Sequence, residues 1–289
     1  MEADHYESAG NNHVSSTGIR AAFKYYKTNI PKPDYSNVLD LTVTDESKGI
    51  NVVPVSISEE LAKDFEGEHL RLATIKSRPG FYLLQGFFSK EEQLKWMVNC
   101  LHSYPENGSK NNVNCNSHEK LTDVFKTHGK KLRWVTKGYD YDWTSKVYPD
   151  RMTSQFPEEF QKIGKLVCGL LKLGDFCGDT AIINYYPEKS TLSPHTDHSE
   201  RNLGKPLVSL SFGQSAVFLL GGVEEECATE AILLNSSDIM VMSKECRLCY
   251  HAVPKILKTT KFDANPNVPT DVLEYANNNR INITIRQCD

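Results

Sequence analysis

Two short strings of this 289-residue chain bring together residue types that could do chemistry. SPHTDHSE places His195 and Asp197 two positions apart. RINITIR places Arg280, Asn282, Thr284 and Arg286 two apart, with Ile281, Ile283 and Ile285 between them. Side chains alternate faces along a strand, so each set points one way. One further histidine would let the first set hold non-haem Fe(II) through two imidazoles and a carboxylate. His251, in the later string RLCYHAV, supplies it if that string is a strand wrapping back to face the first two ligands. Such a set leaves open coordination positions for the keto and carboxylate oxygens of 2-oxoglutarate and for O2. His198 competes as a ligand, but alternation turns it away from a metal held by His195 and Asp197, toward the rim.

The second string suits an acidic co-substrate. The three isoleucines would fill a core, and the intervening face would carry two guanidinium groups into a pocket. No Asp or Glu lies within Arg280–Gln287. Burying two arginines without acidic partners is costly, so a bound dianion is their natural partner. An arginine fork matches a carboxylate with two parallel hydrogen bonds. Asn184 and Tyr186 repeat the two-apart device just upstream, where an amide and a phenol would hydrogen-bond the same ligand. Each string has a plainer alternative. HxD occurs by chance in many chains, and RINITIR would also suit an exposed edge strand. Their order along the chain favours the site.

These residues need a scaffold, and the pattern of the chain indicates one. Hydrophobic residues make up 39% and charged residues 24%, with a formal charge of −4, so the chain reads as globular and any nucleic-acid contact must come from a local basic patch. No apolar run approaches the about 20 residues of a membrane helix. Residues 1–17 are polar and acidic, unlike a secretory signal, and read as a disordered tail. Secretion is therefore not expected; nucleus or cytoplasm is, and the basic amphipathic segment Gly18–Lys27 leaves mitochondrial import open. Eight scattered cysteines then read as reduced thiols, Cys246 and Cys249 included, since no second pair completes a zinc site. Residues 18–79 form an N-terminal extension with a short helix, and 80–289 the main domain. Ser89 with Glu92 opens one helix as a capping box, and Phe156–Leu173 forms another. After Gly174 the period shortens to strands: Thr180–Tyr186, Leu207–Gly213, Ala216–Leu220, Ala231–Leu234, Asp238–Met242, Arg247–Val253 and Arg280–Gln287. Helices first and strands after imply an α+β fold with helices outside one sheet of a sandwich or barrel.

The runs NYYPEKSTLSPHTDHSE, PLVSLSFGQSAVFLLGG, SSDIMVMSKECRLCYHAVP and RINITIRQ, in this order, resemble the AlkB dioxygenases, most of all the AlkB homologue 1 branch. The resemblance spans roughly residues 80–288. It implies a double-stranded β-helix (jelly roll) with flanking helices, Fe(II) on His195, Asp197 and His251, and 2-oxoglutarate on Asn184, Tyr186, Arg280, Asn282 and Arg286. Family members oxidise methyl groups on nucleobases, with O2 as co-substrate. LRWVTKGYDYDW matches the family's nucleotide-recognition lid, here about residues 126–150. Trp134, Tyr139 and Tyr141 are its candidate base contacts. Tyr139, Tyr141 and Trp143 would share a strand face, with Lys130, Lys131, Arg133 and Lys137 interleaved to meet phosphate. One departure concerns base choice: where the bacterial repair enzyme has a second acidic residue two places after its metal aspartate, this chain has Ser199, followed by Glu200. Both join the candidate substrate contacts. The expected partner is nucleic acid, tRNA and/or DNA with an unpaired target, acted on by a monomer away from membranes. A protein (histone) hydroxylase on the same scaffold and a non-enzymatic nucleic-acid-binding protein are the alternatives.

Overall fold

A computed structural model describes residues 18–57, 69–106, 108–115 and 121–288. The expected tail, residues 1–17, lies outside the described residues. Two antiparallel sheets face each other, with strands numbered along the chain. The larger runs β1 (Ile50–Pro54), β2 (Arg71–Ile75), β3 (Phe81–Gln85), β10 (Ile239–Met242), β7 (Leu207–Gly213), β12 (Arg280–Arg286), β5 (Thr180–Tyr186) and β4 (Trp134–Gly138). The smaller runs β6 (Leu192–His195), β11 (His251–Leu257), β8 (Ser215–Leu220) and β9 (Glu230–Leu234). Phe81, Leu83, Met240 and Met242 of the first meet Phe218, Leu220, Ile232 and Val253 of the second in one apolar layer. This is the jelly-roll core with flanking helices that the family resemblance implies.

The pleat of β12 decides what lies on each side of the large sheet. Ile281, Ile283 and Ile285 are fully buried on its outer face. They pack with Met97 of α2 (Lys90–Val98), Phe160, Ile163 and Val167 of α4 (Glu158–Leu170) and Val272 of α5 (Thr270–Asn278). The short α3 is Val124–His128. Burying each isoleucine is worth about 1.5–3 kcal/mol. A one-residue slip of β12 would turn the isoleucines inward and the arginines under the helices, so the register is strongly specified. The expected capping box opens α2: Ser89 Oγ accepts from Glu92 N–H, and Glu92 Oε2 accepts from Ser89 N–H at 2.7 Å.

Residues 18–79 add to both sheets. In α1 (Ile19–Lys27), Ile19, Ala22, Phe23 and Tyr26 line one face, which lies on Val217, Leu219 and Ala252 at the back of the small sheet. β1 and β2 extend the large sheet from β3. Their half-exposed sequences show no clean alternation, which is why they escape the pattern reading. The string RLCYHAV is not a strand throughout. A 3-10 turn at Lys244–Cys246 feeds an irregular stretch, and β11 begins at His251 itself. Among the described residues, no helix is long and apolar enough to cross a membrane.

Candidate metal and co-substrate site

β6 and β11 are neighbours, and their register sets His195 opposite His251. The two rings lie 4.3 Å apart, centroid to centroid. Asp197 stands just past the end of β6. Its Oδ1 is 4.0 Å from His195 Nε2, and its Oδ2 is 3.7 Å from His251 Nε2. Among the described residues, one ligand atom from each of these three lies within 4.8 Å of the others.

Each imidazole is held by its other nitrogen. His195 Nδ1 lies 2.8 Å from the Ser193 carbonyl, and His251 Nδ1 lies 3.1 Å from that of Cys249. A carbonyl only accepts, so Nδ1 carries the proton and the Nε2 lone pair is left for a metal. Burial, with the neighbouring His195, pushes His251 down to about 4, which keeps it neutral. Burial works against the charge of Asp197, but the Arg286 guanidinium beside it prevails and holds its carboxyl well below the usual range. Two imidazoles and one ionised carboxylate are a donor set that fits Fe(II). His198 is exposed, and its ring turns back to Thr196.

The inner face of the large sheet completes the cavity. β12 pairs with β5 so that Arg280 stands opposite Tyr186, and Asn282 opposite Asn184. These four, with Thr284 and Arg286, line one cavity together with His195, Asp197 and His251. Arg280 is 2% exposed. It donates to the Gln214 carbonyl at 3.1 Å and to Ser211 Oγ at 2.7 Å, and its buried Nε has no partner. No carboxylate among the described residues pairs with it within salt-bridge distance. Burial lowers it to about 10, still cationic at neutral pH. A buried cation with an unused donor, opening on a cavity, fits a carboxylate of 2-oxoglutarate. Asn282 is already committed to Ser209 Oγ and the Leu210 carbonyl through its amide nitrogen, and to Thr284 through its oxygen.

Several sequence expectations need correction. Arg286 does have acidic partners. They come from the HTD segment: Asp197 Oδ2 at 2.8 Å and Glu200 Oε1 at 2.9 Å. Its burial is therefore already compensated, and its Nε alone has no partner among the described residues. Glu200, expected as a substrate contact, has its side chain fully buried against Arg247 and Arg286. Tyr139, Tyr141 and Trp143 share no strand face, because β4 ends at Gly138. That residue has φ +83°, and an added Cβ there would sit 1.9 Å from the Asp179 carbonyl oxygen, so the turn requires glycine. Lys137 is buried on the other side of β4 and donates to Ser109 Oγ. Lys130, Lys131 and Arg133 line a separate groove beside α3, so they do not interleave with the rings. Tyr148 and Arg247 went unnoticed in the sequence. Both touch Glu200, a partnership that no spacing announces.

The match to known proteins follows the same residues. The model of the 2OG-Fe(II) oxygenase superfamily matches residues 80–286. The chain is 29% identical over 323 residues to the human nucleic acid dioxygenase ALKBH1, covering 93% of this chain and 83% of that protein. It is 28% identical over 356 residues to DNA N(6)-methyladenine demethylase ALKBH1A of Arabidopsis thaliana, covering 98% and 99%. The solved structure of OsALKBH1 superposes with a TM-score of 0.56 at 23% identity, over 75% of this chain and 99% of that one. The chain belongs to the 2OG-Fe(II) oxygenase superfamily. It is an oxygenase that depends on Fe(II) and 2-oxoglutarate.

Proposed function

We propose that this oxygenase oxidises methyl groups on unpaired nucleobases of nucleic acid, in tRNA and/or DNA, with O2 as co-substrate. The observation that carries this reading is an aromatic cluster beside the cavity. Trp134 stands opposite Asn184 in the β4–β5 pair, so it shares the face that Asn184 turns to the cavity. The Trp134 ring lies 5.1 Å from Trp143, which meets Tyr141 edge-on at 4.9 Å. The Tyr141 hydroxyl is 3.2 Å from Ser199 Oγ, two residues past Asp197. Trp143 is 46% exposed, so apolar ring area stays at the surface beside a polar site. Such rings stack on bases of any sequence at about 1–3 kcal/mol per base. A base reaches the site only out of its stack or from a single strand. The names of the human and plant relatives, a nucleic acid dioxygenase and a DNA N(6)-methyladenine demethylase, support the same reading.

In this reading His195, Asp197 and His251 hold the metal. Arg280, with Asn184 and Tyr186, orients 2-oxoglutarate, and the free Nε of Arg286 offers one more donor. Iron with 2-oxoglutarate supplies an oxidant strong enough for a methyl C–H bond. The chain positions that bond: Trp134, Tyr141 and Trp143 hold the base, and the apolar layer between the sheets excludes water. The test is a panel of methylated RNA and DNA oligonucleotides and a methylated histone peptide, incubated with Fe(II) and 2-oxoglutarate and read by mass spectrometry and succinate release. Oxidation of an unpaired oligonucleotide is expected. A modified peptide with every oligonucleotide untouched would make the enzyme a protein hydroxylase. Oligonucleotide binding without succinate would leave only a binding protein.

A further inference from the structure

Behind the metal side of the cavity lies a cluster of buried charges. The side chain of Glu200 is wholly buried, and those of Arg247 and Arg286 are 3% and 9% exposed. One oxygen of Glu200 accepts from Arg247 Nη2 at 2.8 Å, and the other accepts from Arg286 Nη1 at 2.9 Å. The Tyr148 hydroxyl closes the group, 3.1 Å from Arg286 Nη1 and 3.4 Å from Glu200 Oε1. Both arginines then turn to Asp197. Arg286 Nη2 donates to Oδ2 at 2.8 Å, and Arg247 Nη1 donates to the backbone carbonyl at 2.5 Å. Arg247 Nε is itself anchored on the Lys205 carbonyl at 2.8 Å. Asp197 is gripped at its main chain and at its carboxylate, and Glu200 joins the two grips.

A core that needed only filling would do as well, or better, with apolar groups, because desolvating three charges is expensive. What the charges supply is direction. Held through Oδ2 by Arg286, the carboxylate keeps Oδ1 4.0 Å from His195 Nε2 and Oδ2 3.7 Å from His251 Nε2. We propose that Glu200 is a positioning residue for the metal carboxylate: by bridging Arg247 and Arg286 it fixes the plane and reach of Asp197 toward the His195–His251 pair. This rests on the reading of His195, Asp197 and His251 as metal ligands.

The test is titration of the metal-free full-length chain with Co(II), followed by its visible ligand-field absorption. Thermal unfolding is measured on the same metal-free samples. Glu200→Gln keeps the shape but loses the charge and one acceptor. It should weaken Co(II) binding about tenfold to 100-fold, the range for groups that orient metal ligands, and alter the spectrum. Arg247→Lys keeps a cation, but one compact ammonium cannot reach three acceptors that are spread around the three guanidinium nitrogens, and should shift affinity the same way. A merely structural ion-pair cluster would lower the unfolding temperature and leave the Co(II) affinity and spectrum of the folded protein unchanged. That result, in either variant, overturns the proposal. Where Glu200→Gln does not fold, Arg247→Lys and the near-isosteric Tyr148→Phe decide on the same terms. Wild-type protein whose Co(II) binding is indifferent to His195→Ala would overturn the metal site itself, a different failure from a Glu200 variant that binds normally.

Discussion

Arg280 offers the sharpest test of the co-substrate site, because its burial makes opposite demands on stability and on binding. The guanidinium is 2% exposed, spends two donors on neutral oxygens and leaves Nε without a partner. A carboxylate arriving there forms charge-assisted hydrogen bonds worth about 1.5–3 kcal/mol. Arg280→Lys keeps the charge but loses the fork, so 2-oxoglutarate affinity should fall by about tenfold to 150-fold, at about 1.4 kcal/mol per decade. Arg280→Met removes the charge as well. The empty protein should then be as stable as wild type or more so, since a buried cation with no salt-bridge partner among the described residues has been replaced by an apolar chain of similar reach. That variant should also lose the rise in unfolding temperature that 2-oxoglutarate gives wild type by mass action. The assay is anaerobic calorimetric titration of 2-oxoglutarate into Mn(II)-loaded protein, paired with thermal unfolding with and without the ligand. Unchanged 2-oxoglutarate affinity in Arg280→Lys would refute the reasoning, and so would an Arg280→Met protein that is much less stable yet still responds to the ligand.

Asp197→Ala should abolish 2-oxoglutarate turnover in a protein that still folds, because Arg286 keeps Glu200 as its partner; circular dichroism beside a succinate assay checks both halves. Trp134→Ala should weaken single-stranded oligonucleotide binding about tenfold by the loss of one stacking platform, while turnover of 2-oxoglutarate without nucleic acid survives; fluorescence anisotropy reads the first effect. Asp238 gives a pH signature. Burial pushes its carboxyl up to about 7, whereas an unfolded chain ionises it near the ordinary value of about 4. Between these values the folded protein holds a proton that the unfolded chain has lost. Its contribution is therefore full below about pH 4 and is lost as pH rises through about 7, with a slope of about 1.4 kcal/mol per pH unit in between. Denaturant titrations of wild type and Asp238→Asn across this range should differ by that slope, and parallel curves would count against it.

Much of the fold is legible in the sequence where a period is enforced by burial on a known side. β12 is such a place: three isoleucines against the helices and four polar residues against the cavity leave one register. β5, β7, β8 and β10 are likewise read nearly to their ends, because both of their faces are covered. The strands missed are β1, at one edge of the large sheet, and β2 beside it. β1 and β2 are half exposed, so apolar residues there do not mark a face. α5 opens after Pro269 with no side-chain cap to announce it. The loop before β11 hides its irregularity for a related reason: Cys246, Arg247 and Cys249 are buried although they belong to no strand, so an apolar run there imitates one.

The candidate site divides along the same line. His195, Asp197 and His251 are found by spacing because strand pairing turns sequence order into proximity. The different work of the two arginines of β12 is not legible, since nothing within Arg280–Gln287 distinguishes them. The difference lies in what the other sheet brings. The segment after β6 delivers Asp197 and Glu200 to Arg286. At the other end of β12, Arg280 donates to Ser211 Oγ and a backbone carbonyl and lines the cavity, and the buried Asp238 acts on it from beyond salt-bridge distance. One strand therefore carries an arginine paired with two carboxylates on the metal side and another that, among the described residues, has no carboxylate within salt-bridge distance. Exchanging the environments would defeat both roles. With 2-oxoglutarate on Arg280 as proposed, a carboxylate paired to that arginine would compete with it, and an unpaired Arg286 would let Asp197 swing away from the histidines.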